Sequence, residues 1–339
     1  MNVLPKVFEA QAQACAALGS PFTARLCRAL PTLLEGRAIG ARLSDWPGDP
    51  GPGGASLPLR LTGALHALKL DGDEGLTAIY PSNAPSDAEF AAGLSRAFDQ
   101  HATAIDAFIN RPPQTNEVRR AAVLIAAASV IADRFGLPLR LSELGASGGL
   151  NLNFDQFALT ANGWTLGPTD PALTLTPDWT GAPPPDVPFT VVQRRGVDLT
   201  PLDPVADRLR LLAYLWPDQP ERLSLTRAAL TLPPAPVDAA DAGDWLPARL
   251  GATPGQAHLI YHTIAWQYFP ADVQARLTQA IEAAGVVATP DAPLALASME
   301  NDNGAGGDGA ALTLRLWPGD ETLKLGRADF HGRWIRCSL

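Results

Sequence analysis

The chain has 339 residues, 46% of them hydrophobic and 18% charged, with 35 acidic against 26 basic side chains and a formal charge of −9. That length is long for one ordinary compact domain and comfortable for two, and the apolar content excludes wholesale disorder. The acidic balance lacks the basic footprint that nucleic-acid binding usually leaves, so no nucleic acid is expected as a partner.

The opening stretch MNVLPKVFEAQAQACAALGS lacks a basic start followed by a long apolar run, so no signal peptide is read. Cys15, Cys27 and Cys337 are odd in number and form no Cys-x-x-Cys pair, which fits a reducing compartment, and a cytoplasmic protein is expected. The first third reads as helices, interrupted by the Pro/Gly-rich loop WPGDPGPGGASLP at 46–58. Ser86 and Glu89 have capping-box spacing, and the apolar positions behind them predict a helix to about Ile109, stopped by Arg111-Pro112-Pro113. Gln114, Thr115 and Asn116 then stand at a helix entrance, as plain caps or as groups that contact a substrate. The next helix runs from near Glu117 to Phe135, closed by Gly136 and Pro138. It is the most apolar long run, but Arg119, Arg120, Asp133 and Arg134 bracket it too tightly for a membrane span. The expected organisation is a helical region over 1–112 and an α/β domain over 113–339.

From Leu139 the texture changes. Strands are predicted at LRLSEL (139–144), FTVVQ (189–193), HLIYHTI (258–264) and LALASME (294–300). A final pair, within LTLRLWPGDETLKLGRADF, is joined by a turn at Pro318-Gly319-Asp320. Helical stretches at about 206–216 and 272–285 lie between them, so a mostly parallel sheet covered on both faces is predicted. A Pro/Thr/Trp-rich insert at about 158–188 contains GWTLG and ALTLT, which read together as a small hairpin.

The stretch LSELGASGGLN, 141–151, places a glycine-rich turn directly after the first of these strands, where doubly wound sheets bind ligands. Behind it, Leu150, Phe154 and Phe157 match helical spacing, and Leu150, Leu152 and Phe154 match strand alternation equally well. The pattern departs from the dinucleotide fingerprint G-x-G-x-x-G. It resembles the first motif of class I S-adenosylmethionine-dependent methyltransferases, E/D-h-G-x-G-x-G, with Ser147 in place of the middle glycine. The segment DAGDWLP (241–247) looks like the part of those enzymes that follows the third strand, and HLIYHTIAWQYFP looks like their fourth strand and the loop facing the transferred methyl. The resemblance implies a Rossmann-like fold with a seven-stranded sheet, a terminal antiparallel hairpin and S-adenosylmethionine as cofactor. It implies that Glu143 orders the turn and the amino-acid end of the cofactor, with Gly145, Ala146, Ser147, Gly149 and Asn151 against it. Asp244, with Asp241 as alternate and Trp245 beside it, would meet the adenine. Asp198, with Arg195 near it, is the ribose candidate.

His262, at the end of the fourth predicted strand, would line the pocket, either accepting a proton from the methyl acceptor or bonded to backbone beside the cofactor. Gln267 joins Gln114 and Asn116 as a substrate contact, and Glu300 and His331 are candidates to converge on His262. No His-x-x-x-His or Glu-x-x-His pair occurs among these residues, and no metal is expected. Over nearly its whole length the chain also resembles a bacterial family known as domain of unknown function 2332, through QTNEVRRAA, ELGASGGLNLNFD, RRGVDLTPLDP, RLRLLAYLWPDQPER, TIAWQYFP and RADFHGRW. That family is described as methyltransferase-like in fold, with no established reaction. The expected activity is methyl transfer to a small molecule. A ligand-binding scaffold without turnover is the alternative, and a nicotinamide-dependent oxidoreductase is a third, weaker reading.

Overall fold

The capping box expected at Ser86 forms. In the computed structural model, which describes residues 3–338, the Glu89 amide donates to Ser86 Oγ at 3.3 Å and the Ser86 amide donates to Glu89 Oε2 at 2.8 Å. The helix it starts does not reach Ile109. It ends at Gln100, and a second helix runs over Ala102–Phe108. His101 leaves helical geometry at φ −119°, and its Nε2 lies 2.7 Å from Asp73 Oδ2, an attachment 28 residues away that no local pattern announces.

The chain divides into two units, one comprising the chain up to Thr115 with Ala206–Ser224, the other Asn116–Val205 with the chain from Leu225 onward. The first is helical. Its core gathers Phe8, Leu26, Leu30, Leu61, Leu65 and Phe98 from the helices Leu4–Ala17, Pro21–Leu33, Leu57–Leu70 and Asp87–Gln100. The segment Ala206–Ser224, which follows strand sequence in the chain, belongs here because of side chains that finish other helices. Arg210 donates to Arg111 O at 2.9 Å, and Arg60 to Ile109 O at 2.8 Å and Asn110 O at 3.1 Å. Both guanidiniums thereby serve carbonyls left over behind the helix Ala102–Phe108, where the helix dipole favours positive charge. Asp218 accepts from Ser20 Oγ at 2.5 Å and from the Phe22 amide at 2.8 Å, capping the helix Pro21–Leu33.

The second unit is built on strands β1 (Leu139–Leu144), β2 (Phe157–Ala161), β3 (Trp164–Leu166), β4 (Leu173–Leu175), β5 (Asp178–Thr180), β6 (Val191–Asp198), β7 (Val237–Ala239), β8 (Ala257–Thr263), β9 (Leu294–Glu300), β10 (Ala310–Trp317), β11 (Glu321–Ala328) and β12 (Trp334–Cys337). Nine of them form one sheet in the order β5-β12-β11-β10-β9-β8-β1-β6-β7. β7, β6, β1, β8 and β9 are mutually parallel, so all five end at one edge, and the strand order reverses between β1 and β8. Successive residues serve opposite faces. Leu139, Leu141, Leu259 and Tyr261 pack with the helix Ala121–Phe135, while Leu144, Ile260 and Val197 pack with Val273, Leu277 and Ile281 of the helix Ala271–Val286.

Three expectations are corrected. The sheet has nine strands rather than seven, because the hairpin continues as an antiparallel meander into β12, whose outer side pairs with β5 from the insert. GWTLG and ALTLT do not pair with each other. Both flank β2, which forms a tight hairpin with β3 through Asn162-Gly163 at φ 47° and 85° and runs parallel to β4. The residues behind the glycine turn are neither α-helix nor strand but a 3₁₀ segment, Leu150–Gln156, kinked at Asn153, in which Leu150, Leu152 and Phe154 are all buried. Among the described residues no helix is long and apolar enough to cross a membrane.

Gly326 shows how closely the meander is packed. It sits at φ 126°, and a Cβ there would lie 1.9 Å from Arg336 O of the neighbouring strand. Gly326→Ala is expected to destabilise the second unit by about 3 kcal/mol or more, read as a lower urea midpoint.

Candidate functional site

At the end of β1 the chain reverses through Gly145, Ser147 and Gly149, at φ 72°, 52° and 69°. The glycines permit close approach, and what approaches is protein. A Cβ at Gly145 would lie 2.6 Å from Ala265 Cβ, and one at Gly149 2.7 Å from Val237 Cγ2. The amides of the turn are also used internally. Gly145 and Ala146 donate to Val197 O at 2.9 and 3.0 Å, Gly149 to Ala146 O at 2.8 Å, and Leu150 to Asn116 Oδ1 at 2.9 Å. Asp198, at the end of β6, takes the Ser147 amide on Oδ2 and the Thr200 amide on Oδ1, both at 2.9 Å. Five amides of this turn are therefore engaged within the chain, which is unlike the open amide cradle that holds a pyrophosphate.

Two polar atoms beside the turn are different. Ser147 Oγ and Asn151 Oδ1 are buried and make no hydrogen bond. Asn151 Nδ2 donates to Glu117 O at 3.2 Å, and the Asn151 main-chain carbonyl accepts from Tyr261 Oη at 3.3 Å. The same hydroxyl lies 3.4 Å from Glu143 Oε2. Burial pushes the Glu143 carboxyl well above the usual carboxylate range, with Asp198 adding repulsion and Arg120 opposing it, and burial likewise raises the Tyr261 phenol. Arg120 ties the neighbourhood together, donating to Thr263 O at 3.1 Å and to Phe330 O at 3.0 Å.

At the ends of β8 and β9, His262 Nδ1 lies 2.8 Å from Glu300 Oε1, which also accepts from the Ala265 and Trp266 amides at 3.0 and 3.1 Å. An oxygen that accepts two amides carries no proton, so Nδ1 is the donor, and in the neutral imidazole the lone pair sits on Nε2. Nε2 makes no hydrogen bond among the described residues, and Glu300 Oε2 is buried without one. Trp266 stacks on the imidazole at 4.9 Å between centroids and 25° between planes. The loop turns back to Glu300 because Ile264, a β-branched residue, adopts φ 51°, an unfavourable conformation of the kind that clusters at functional sites.

The other expected residues are distributed as follows. Asn116 holds the Leu150 amide, whereas Gln114 belongs to the first unit. Gln267 is exposed in the turn Trp266–Tyr268. His331 stands in a tight turn built by Asp329, which accepts the His331 amide at 2.9 Å and the Arg333 guanidinium at 2.7 Å. Among the described residues no three His, Cys, Asp or Glu side chains are grouped so as to hold a metal ion, so His331 does not complete a three-ligand set with His262 and Glu300. Beyond β7, Asp241 caps the Gly243 amide at 2.9 Å, and Arg276 pairs with both Asp241 and Asp244. Arg195 forms a two-pronged pair with Asp238 at 2.6 and 2.7 Å, and Trp245 Nε1 donates to the same carboxylate at 2.6 Å. Tyr261, Arg120, Glu117 and Asp238 are the participants that sequence reasoning missed. Arg120 reads there only as a charge bracketing an apolar helix, and Tyr261 only as strand core.

The family model described as "Uncharacterized protein conserved in bacteria (DUF2332)" matches residues 5–336. No curated protein and no solved structure matches the chain.

Glu143 carries a pH signature. Its folded pKa lies above its unfolded value, so its contribution to stability is complete at acid pH and is lost as pH rises through the folded value. Glu143→Gln, neutral at every pH, is expected to gain on the parent protein in urea midpoint as pH is raised from about 5 to about 9, with the smallest difference at the acid end.

Proposed function

The chain belongs to this family of uncharacterised bacterial proteins, and we propose that it is an S-adenosylmethionine-dependent methyltransferase acting on a small molecule. The observation that carries the reading is a set of polar atoms without protein partners, Ser147 Oγ, Asn151 Oδ1 and His262 Nε2, at the edge where the strand order reverses. Leaving Ser147 Oγ or Asn151 Oδ1 buried and unmet costs about 1–3 kcal/mol, so both are positions where a ligand group gains free energy by binding.

The residues fit this cofactor better than a dinucleotide. The turn's amides are spent within the chain, which leaves little to hold a pyrophosphate, whereas the ammonium and hydroxyl groups of S-adenosylmethionine need acceptors. Ser147 and Asn151 would receive its polar end. Asp198, fixed at the end of β6 by the Ser147 and Thr200 amides, is the carboxylate that would meet the ribose hydroxyls. When bound, the cofactor supplies a methyl group activated on a sulfonium. The chain orients the acceptor. His262 turns an Nε2 lone pair outward, fixed in that tautomer by Glu300 and held in plane by Trp266, and so takes a hydrogen bond from an acceptor O–H or N–H. Alignment supplies much of the acceleration of such a transfer, so no strong base is demanded.

A scaffold that binds without turnover is the second reading. It draws on the packing of both turn glycines against Ala265 and Val237.

Calorimetry and thermal shift with S-adenosylmethionine, S-adenosylhomocysteine and NAD separate these readings. Both adenosyl ligands are expected to bind and NAD is not, with about 2.7 kcal/mol of stabilisation at a hundredfold excess over Kd. Ser147→Ala should weaken the adenosyl ligands by about tenfold without lowering the melting temperature of the free protein. Absence of any shift with both adenosyl ligands at millimolar concentration overturns the cofactor assignment. Binding with no methyl transfer to any of a panel of small alcohols, phenols and amines favours the scaffold.

A further inference from the structure

The opposite edge of the same sheet carries a second polar cluster. Arg140 and His258 are register partners near the starts of β1 and β8, roughly 16 Å by strand rise from the glycine turn. Arg140 donates through Nη1 to Gly251 O at 3.0 Å and Thr253 Oγ1 at 3.3 Å, and through Nη2 to Arg249 O at 2.6 Å. Arg249, stacked over Trp245 at 4.9 Å, donates through Nε to Ser142 Oγ at 3.1 Å and through Nη2 to Leu141 O at 3.3 Å.

Two half-buried guanidiniums thus converge, and neither meets a carboxylate among the described residues. Asp238, whose charge acts on Arg249, is engaged by Arg195 and Trp245. Burial and mutual repulsion lower Arg249 to about 10, and burial with both arginines lowers His258 to about 3, so the imidazole is neutral. Its tautomer follows. Ser142 Oγ accepts from Arg249 and gives its one proton to His258 Nε2 at 2.8 Å, which leaves the ring N–H on Nδ1. That N–H makes no hydrogen bond among the described residues, and Arg140 Nε is buried without a partner. Arg140, Thr253, Gln256 and His258 line a cavity of about 20 Å³, walled by Leu250 and Val287. That volume admits one particle of about water's size.

We propose that this cavity binds a single chloride-sized anion, held by Arg140 and the Nδ1–H of His258. The anion accepts from groups that only donate, and it offsets positive charge for which the protein provides no counterion. Phosphate is too large for the space, and water, which must also donate, leaves the charge uncompensated. By filling the cavity the anion fixes the loop 249–253 against β1. The site is independent of the proposed cofactor and stands if that reading fails.

Chloride NMR line broadening on the intact protein tests it. Excess linewidth should saturate with chloride and be displaced by bromide, and the melting temperature should rise with chloride at constant ionic strength, with gluconate as the replacement anion. Arg140→Gln and Arg249→Gln should each weaken chloride by about tenfold. Since either variant could fold poorly, crystals of the parent protein exchanged into bromide give the independent measurement, with an anomalous peak expected between Arg140 and His258. No bromide peak in the cavity, or broadening that both folded variants retain in full, overturns the proposal.

Discussion

The reversal after β1 is the constraint on which the edge of the second unit formed by the ends of its parallel strands depends. Three left-handed residues within five fold the chain back sharply, and each amide turned inward there must find an acceptor. Val197 O and Asp198 provide them from β6, and Asn116 provides one from the approach to the helix Ala121–Phe135. One turn thereby joins two strands and a helix start. Its glycines are required because the loop after β8 and the start of β7 press against it with no room for a side chain.

The edge so formed sorts its polar groups into two kinds. Those that hold the frame are engaged within the chain: Asp198 by the Ser147 and Thr200 amides, Glu300 Oε1 by two amides and an imidazole, Arg120 by the carbonyls of Thr263 and Phe330. Those left over, Ser147 Oγ, Asn151 Oδ1 and His262 Nε2, are fixed in place by the first kind. A frame that is satisfied without ligand keeps the remaining groups oriented, which lowers the ordering penalty of binding. The opposite edge differs in the sign of its imbalance, since two guanidiniums gather there over neutral His258 with carbonyls as their main partners.

Much of this was legible in the sequence wherever the signal is local. The Ser86 capping box, the stop at Gly136, the helix Ala271–Val286 and five of the parallel or hairpin strands follow from spacing and turn residues within a few positions. The hairpin at Asn162-Gly163 carried an equally local signal, but the apolar alternation on either side of it drew attention to the wrong partner. Glu143, His262 and Glu300 could be placed at strand ends, because a strand's last residue is marked by the turn that follows, whereas Asp198 lay five residues beyond the expected strand FTVVQ and β6 runs on to it. Their partners could not. Tyr261 reaches Glu143 across 118 residues, Arg120 reaches Phe330 across 210, and Asp198 turns onto Ser147 across 51.

By itself the sequence determined the element types, the alternation of strand and helix that makes a parallel sheet, and the position of a glycine turn at a strand's end. These rest on backbone preference and on the burial of an apolar face, both properties of a few neighbouring residues. Tertiary structure alone decided that the sheet takes nine strands, that Ala206–Ser224 joins the helical unit, that Glu143 is buried beside a phenol, and that His262 offers Nε2 rather than Nδ1. Each of those outcomes is set by pairings and hydrogen bonds that exist only when residues distant in sequence have met.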